Sequence, residues 1–433
     1  MFKKILIGII LFGVVAVLLL QIDDELNPEV ASFLEQAKPA ESSDAYLYLL
    51  GIIAAEDEDP LVVGQQLLAS MQQAEQQYDF SDGTFGFEAY PEDKKLALPD
   101  GALFCVNQQE SCWQTVFDNK TARDQALKAH AVLLQRYQYF LGLNDYHSLV
   151  KPTAVEGFPS YEYLMKANRL VILNEINTIQ TVGSSHAIKT MTDHIALLRN
   201  HLKNTDQLIG KLIYSAIIAE NLDVLSLIIH QGQTASPPQL SLLSVDERDF
   251  ATVMPREFAM GYDLYTSLDK HPQFFSASTL AGDKSEGKSP AWLVRLVYKP
   301  NMTINEHYSV YKAVVLRSQL AQKQFAVTVT TELKNEQKSP YKISIRNYAG
   351  RVLNNLARPS FDRVIARVLD LNAKIAIFNK TANKVMLPED LSYIQNPYYE
   401  KGGTAFYSED GKSICLTGPL DDDKNQRCLR VKL

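Results

Sequence analysis

The feature that most constrains this chain is an unbroken apolar run, Ile5 to Leu20, with Lys3-Lys4 before it and Asp23-Asp24-Glu25 after it. A helix rises about 1.5 Å per residue, so the run spans about 24 Å, and extension through Ile22 brings it close to the thickness of a bilayer core. Basic residues on one side and carboxylates on the other predict a cytoplasmic N-terminus, with the rest of the chain carried across. A cleavable signal needs small residues just ahead of the cut, and Val17-Leu18-Leu19-Leu20-Gln21 supplies none, so an uncleaved signal anchor is expected. The first cysteine is Cys105, which rules out a lipobox, and no glutamate sits early in the run as in a pilin leader. Residues 1–26 therefore read as a transmembrane helix with its acidic flank, and residues 5–22 as the part that meets lipid.

The whole chain, 433 residues with 46% hydrophobic content, exceeds what one core usually serves. The expected fold is mainly α: a multi-helix body, either two lobes or one elongated array, ending in a small β meander. The formal net charge of -7, without a basic cluster past the first four residues, argues against nucleic acid as a partner. The cysteines fall as two local pairs, Cys105 with Cys112 and Cys415 with Cys428. In an exported domain such pairs read as disulfides, and neither has the Cys-x-x-Cys spacing of redox or zinc sites.

The helices follow from capping signals and apolar spacing. Asn27-Pro28-Glu29 opens a short helix to about Lys38, Ser43-Asp44 another over Ala45 to Ile53, and Asp59-Pro60 a third. Lys120 to Leu141 reads as one long helix, and Pro159–Thr181 and Ser185–Lys203 as a hairpin broken at Gly183. Thr205 to His230 is apolar nearly all round, but Lys211, Glu220 and Asp223 mark it as a core helix rather than a second span. The small polar stretch from Gly232 to Pro238 divides a helical lobe at 27–235 from a second at 236–390. In the latter, Ser244-x-x-Glu247 is a capping box for a helix to about Leu268, kinked at Pro255. Trp292–Tyr298 alternates like a strand, Phe325–Thr331 is either strand or helix, and Tyr348–Phe378 is one helix bent at Pro359 or two. In residues 391–433, Ala405–Tyr407, Ile414–Leu416 and Cys428–Val431 form the meander, stapled by Cys415 and Cys428.

Few motifs carry chemistry. Gly282 to Ser289 fits the P-loop pattern, but Pro290 lacks a donor where phosphate needs one, and Asp283 and Glu286 add negative charge, so a charged loop is expected. Ser-x-x-Lys at Ser267, Ser285 and Ser339 lacks the companion motifs of serine acylases. His186, His194 and His201 share a helix at spacings of eight and seven, too far apart to hold one ion, and read as core or partner-facing. Asp421-Asp422-Asp423 lacks the alternation of a calcium loop. No catalytic residue, cofactor or metal ligand is assigned. Two functions fit. One is a non-catalytic, membrane-tethered envelope protein acting through protein contacts, as scaffold, assembly factor or inhibitor, with aromatics at Phe85–Tyr90 and Asn396–Tyr399 as contact surface. The other is an envelope hydrolase with a dispersed acid and base drawn from Glu156, Glu162 and Glu175. Either places the body in the periplasm or another extracytoplasmic space.

Overall fold

Capping chemistry sets many of the helix starts. The Ser43 and Asn119 side chains accept the backbone N–H three residues on, and Asp59 accepts that of Leu61 ahead of Pro60 at the first helical position. The computed structural model describes residues 2–78, 86–104, 111–153, 156–232, 237–271, 275, 291–336, 346–357, 360–382 and 386–433. They are mainly helical. In order come α1 (Phe2–Gln21), α2 (Glu29–Glu35), α3 (Asp44–Leu50), α4 (Pro60–Gln77), α5 (Ser111–Asp118), α6 (Lys120–Ala129) and α7 (Ala131–Leu141). Next are α8 (Tyr161–Thr181), α9 (Ser184–Asn204), α10 (Leu208–Gly232), α11 (Val245–Arg248) and α12 (Met254–Lys270). The series closes with α13 (Ala291–Val297), α14 (Pro300–Gln319), α15 (Gln322–Glu336), α16 (Tyr348–Ala357) and α17 (Phe361–Thr381).

The centre of the body is α10, packed against α8, α9, α17 and the C-terminal sheet. It is long and apolar enough to cross a membrane, yet 78% of its apolar window is buried within the protein. Around it, α12 packs on α14 and α2, α14 on α16, and α3 on α4. That last crossing demands glycine, since a Cβ at Gly64 would lie 1.9 Å from the Leu47 carbonyl oxygen. By contrast α1 has large apolar side chains exposed along its length, with α13 packed against it.

Strands β1 (Phe406–Tyr407), β2 (Ser413–Cys415) and β3 (Cys428–Arg430) form an antiparallel sheet in that order. Cys415 faces Cys428 in register and the two are disulfide-bonded. The expected meander and staple are therefore present. Cys105, on which the other expected bridge depends, lies outside the described residues, as do Gly282–Ser289 and Ser339.

Several local expectations are corrected, and two left open, at 325–331 and 348–378, are decided. The helix from Lys120 to Leu141 is two, because His130 leaves helical geometry at φ -119° and ψ 29°. The Ser244 capping box is formed with Glu247 but opens only the single turn of α11. An extended Asp249 ends that turn, and Pro255 then sits at the start of α12, where its missing N–H costs nothing, rather than kinking a longer helix. Residues 291–297 are helical, not a strand: Leu293 and Val297 are exposed while Val294 is buried, a one-in-four pattern rather than alternation. Phe325–Thr331 is likewise helical, with Phe325, Ala326 and Val329 turned inward. Residues 348–381 form two helices, α16 and α17.

Candidate functional site

The three carboxylates proposed for acid and base work are not brought together. Glu162 is exposed at the head of α8, and Glu175 is buried further along the same helix, about 20 Å away at the helical rise. Burial pushes the Glu175 carboxyl up. Glu156 lies in an interior polar cluster. Its Oε1 accepts from Arg256 Nη2 at 2.5 Å and from Gln207 Nε2 at 3.1 Å. The Tyr146 and Tyr161 hydroxyls stand against Gln207 Oε1 at 3.1 and 2.6 Å. Burial pushes the Glu156 carboxyl up to about 7, against the pull of the Arg256 charge. The side chains of Glu156 and Arg256 are 2% and 4% exposed, so this carboxyl has no open approach for substrate.

A second interior cluster lies between α8, α9 and α10. Glu220 accepts from Arg169, and also from Asn168 Nδ2 at 2.9 Å. Arg169 stacks on the Trp113 ring at 4.4 Å, and Asn168 Oδ1 meets Asn221 Nδ2 at 2.8 Å and His194 Nε2 at 3.0 Å. His201 lies between the Phe140 and Tyr214 rings and contacts the Leu141 carbonyl at 3.2 Å. These are core histidines, while His186 is exposed. Among the described residues no group of three or more His, Cys, Asp or Glu is placed to hold a metal ion. In the Asp421–Asp423 turn, Asp422 accepts the backbone N–H groups of Gln426 and Arg427.

The aromatic segments expected to offer contact surface are largely internal. Tyr398 is buried and donates to Asp370 Oδ1 at 2.6 Å, and Asn396 Nδ2 donates to the Gly403 and Thr417 carbonyls. Phe87 and Tyr90 pack against the core, and Phe85 lies outside the described residues. The open concave surfaces are elsewhere. A groove of about 420 Å³ runs between α9 and residues 239–247, lined by Thr192, Asn200, Lys203 and Gln239 among others. The bidentate Arg199–Glu247 pair forms part of its wall, with exposed Leu242 and Val245 beside it in sequence. A second, of about 350 Å³, is lined by Leu103, Phe104, Asn119 and His130.

The most elaborated contact that the sequence did not disclose joins the exit of α1 to the body. Pro300 opens α14, and the next two backbone N–H groups, of Asn301 and Met302, have no partner within the helix. Both donate to the Asp23 carboxylate, at 2.9 and 3.2 Å. Asn301 Nδ2 donates to the Asp24 carbonyl and Asn305 Nδ2 to the Glu25 carbonyl, while Asn305 Oδ1 accepts the Asn27 N–H. Arg346 donates to the Ile22 carbonyl at 3.2 Å and to Asp24 at 2.7 Å. Glu29 accepts from Lys312 and Tyr308, and the Lys312 bond chiefly holds its carboxyl below the usual range. Phe33 of α2 then wedges edge-on against Phe258 and Tyr308. The acidic flank was visible in the sequence, but its partners lie some 280 residues away and leave no local signal.

Comparison with known protein families, with curated proteins and with solved structures finds no match for this chain.

Proposed function

We propose that this chain is a single-pass, membrane-tethered envelope protein whose body lies on the extracytoplasmic side and acts through contacts with another envelope protein, as scaffold, assembly factor or inhibitor. The observation that carries the reading is the junction: an outward-facing apolar helix continues into a strap bonded group by group to α14 and Arg346. A flexible tether needs none of those bonds. A body held at a set angle to the bilayer does, and that suits presentation of a surface to a neighbour. The Cys415–Cys428 bridge supports the oxidising side, and Lys3-Lys4 against Asp23-Asp24-Glu25 supports the orientation. The groove beside α9, with Leu242 and Val245 next to it, is the surface we assign to the partner.

An alkaline phosphatase fusion after Leu34 tests the topology, with an active fusion expected and an inactive one refuting it. Photoreactive residues at Gln239 and Leu242, irradiated in intact membranes, should each yield one discrete adduct. The same probe at exposed Tyr393 should not, and equal labelling at all three would overturn the assignment of the groove. The hydrolase alternative has one observation in its favour, the Glu156 carboxyl pushed up to about 7. Its enclosure tells against it. Retention of phenotype in Glu156→Gln protein of normal abundance would remove that alternative.

A further inference from the structure

The region where α1 leaves the body carries a second apolar surface. Helix α16 is fixed to α14 by one face: a Cβ at Gly350 would lie 2.0 Å from the Thr303 hydroxyl, and Asn354 Nδ2 donates to the Thr303 carbonyl at 3.0 Å. Tyr348, Val352 and Leu356 are each two positions from that face, about 200° round the helix, so they form a stripe on the opposite side. All three are exposed, Leu356 at 80%. Helix α13 adds exposed Leu293 and Val297 one turn apart, and packs against both α1 and α16.

What covers this surface is indicated by its position. Arg346, two residues before the stripe, is bonded to the Ile22 carbonyl and Asp24 at the end of α1. The stripe therefore begins where the anchor emerges and extends about 12 Å from it along α16 at the helical rise. Tyrosine at the near end and aliphatic residues beyond it match the composition of helices lying in a membrane interface. We infer that α13 and α16 rest on the outer surface of the bilayer, with Tyr348, Val352, Leu356, Leu293 and Val297 entering the boundary between headgroups and acyl chains. The inference rests on α1 spanning that bilayer. It makes the attachment two-point, a span and a foot, which fixes how far the α9 groove stands from the membrane.

The test uses the full-length protein reconstituted in vesicles of phosphatidylethanolamine and phosphatidylglycerol. The described cysteines carry no free thiol, and single variants Leu356→Cys, Ile10→Cys and Val245→Cys are each labelled with a fluorophore and read against the unsubstituted protein treated in the same way. Quenching by lipids spin-labelled at different depths reads position. Label at 10 should lie in the hydrocarbon, label at 245 in water, and label at 356 about 5 to 10 Å into the interface. If 10 is in the hydrocarbon but 356 behaves like 245, the foot is wrong and the span stands. Shielding of 356 from both lipid and aqueous quenchers would show a second copy of the chain covering the stripe, and would also overturn the inference. Label at 10 in water would refute the span, and the foot with it.

Discussion

Two long apolar helices, α1 and α10, meet opposite surroundings in this protein. Over Ile5 to Leu20, α1 has no polar side chain, and its large apolar groups are exposed. Helix α10 is longer but punctuated, and the acidic part of the punctuation is partnered: Glu220 by Arg169 and Asn168, with Asn221 beside it on Asn168, and Asp223 by Lys374 Nζ at 2.7 Å and the Arg430 N–H at 2.9 Å, while buried Lys211 has the Phe250 ring at 5.6 Å and no hydrogen-bond partner among the described residues. Each of the Glu220 and Asp223 pairs fixes which neighbour α10 meets and in what rotation, since a buried charge without its partner is costly. A helix that carries no such residue has nothing to specify a protein neighbour, and lipid suits it as well as a core would. Helix α1 is the more apolar of the two, because α10 carries ionisable side chains within its apolar stretch and Ile5 to Leu20 carries none.

The largest expected effect breaks α10's side of the comparison. Arg169→Ala leaves Glu220 buried with only Asn168, and should cost about 3 to 5 kcal/mol, seen as a lower urea midpoint. Replacing Arg169 and Glu220 together with Met and Leu should cost clearly less than the single change. If the single and double variants lose equally, packing rather than charge is what Arg169 supplies. The next effect falls on α1. Leu11→Arg should cost about 2.5 to 3.5 kcal/mol of insertion and move protein into the carbonate-soluble fraction, with the body still folded. A destabilised body would mean that α1 belongs to the core after all.

A smaller effect separates the titrating groups of the core. Burial holds the His201 imidazole down to about 4, against an ordinary 6.5. As pH falls below 6.5 the unfolded chain takes up a proton that the folded one refuses, so stability drops through that window and levels off near 4. Asp370 and Glu156 act in the opposite sense. Burial pushes both carboxyls up to about 7, so the folded form keeps protons that the unfolded form has lost, and their contribution grows as pH falls from 7. The whole-protein acid curve sums opposed slopes, so the histidine is read by difference. His201→Phe should be less stable than the parent near neutrality, having lost the Leu141 carbonyl contact. It should then gain about 2 kcal/mol relative to the parent by about pH 5, measured by urea unfolding at both values. A constant difference across pH would show that His201 is not held neutral.

How far the sequence disclosed this arrangement depended on range. Short-range chemistry was legible: Ser43, Asp59 and Ser244 cap helices, and Cys415 meets Cys428 across adjacent strands. Boundaries failed where geometry at one residue decides, as at His130, or where weak alternation suggested a strand and packing imposed a helix, as at residues 292–297. The polar clusters were illegible because their members are far apart, 51 residues for Arg169 and Glu220, 100 for Arg256 and Glu156, 151 for Lys374 and Asp223. Glu156 was named for catalysis without Arg256, the partner that encloses it. Tyr398 was named for contact because nothing nearby in sequence foretells the Asp370 carboxylate that receives it.

The finest distinction concerns the strap itself, where α1 could in principle swing freely or be locked to the body. Asp23 decides between them, because its carboxylate serves the two N–H groups at the head of α14 that no helical carbonyl reaches. Asp23→Ala returns those donors to water and removes a negative charge from the positive end of the helix dipole, a loss of about 1 kcal/mol. Amide exchange at Asn301 and Met302 should quicken by about fivefold, the factor that 1 kcal/mol of local opening corresponds to. Asp23→Asn keeps an acceptor oxygen and should recover most of the protection. Trypsin cleavage after Arg346, the residue that clamps Ile22 and Asp24, should accelerate in Asp23→Ala alone if the strap opens as a unit. Exchange that quickens only at the two capped amides, with Arg346 still protected, would mean that the bonds act singly and that Arg346 is enough to hold α1 at its angle to the body.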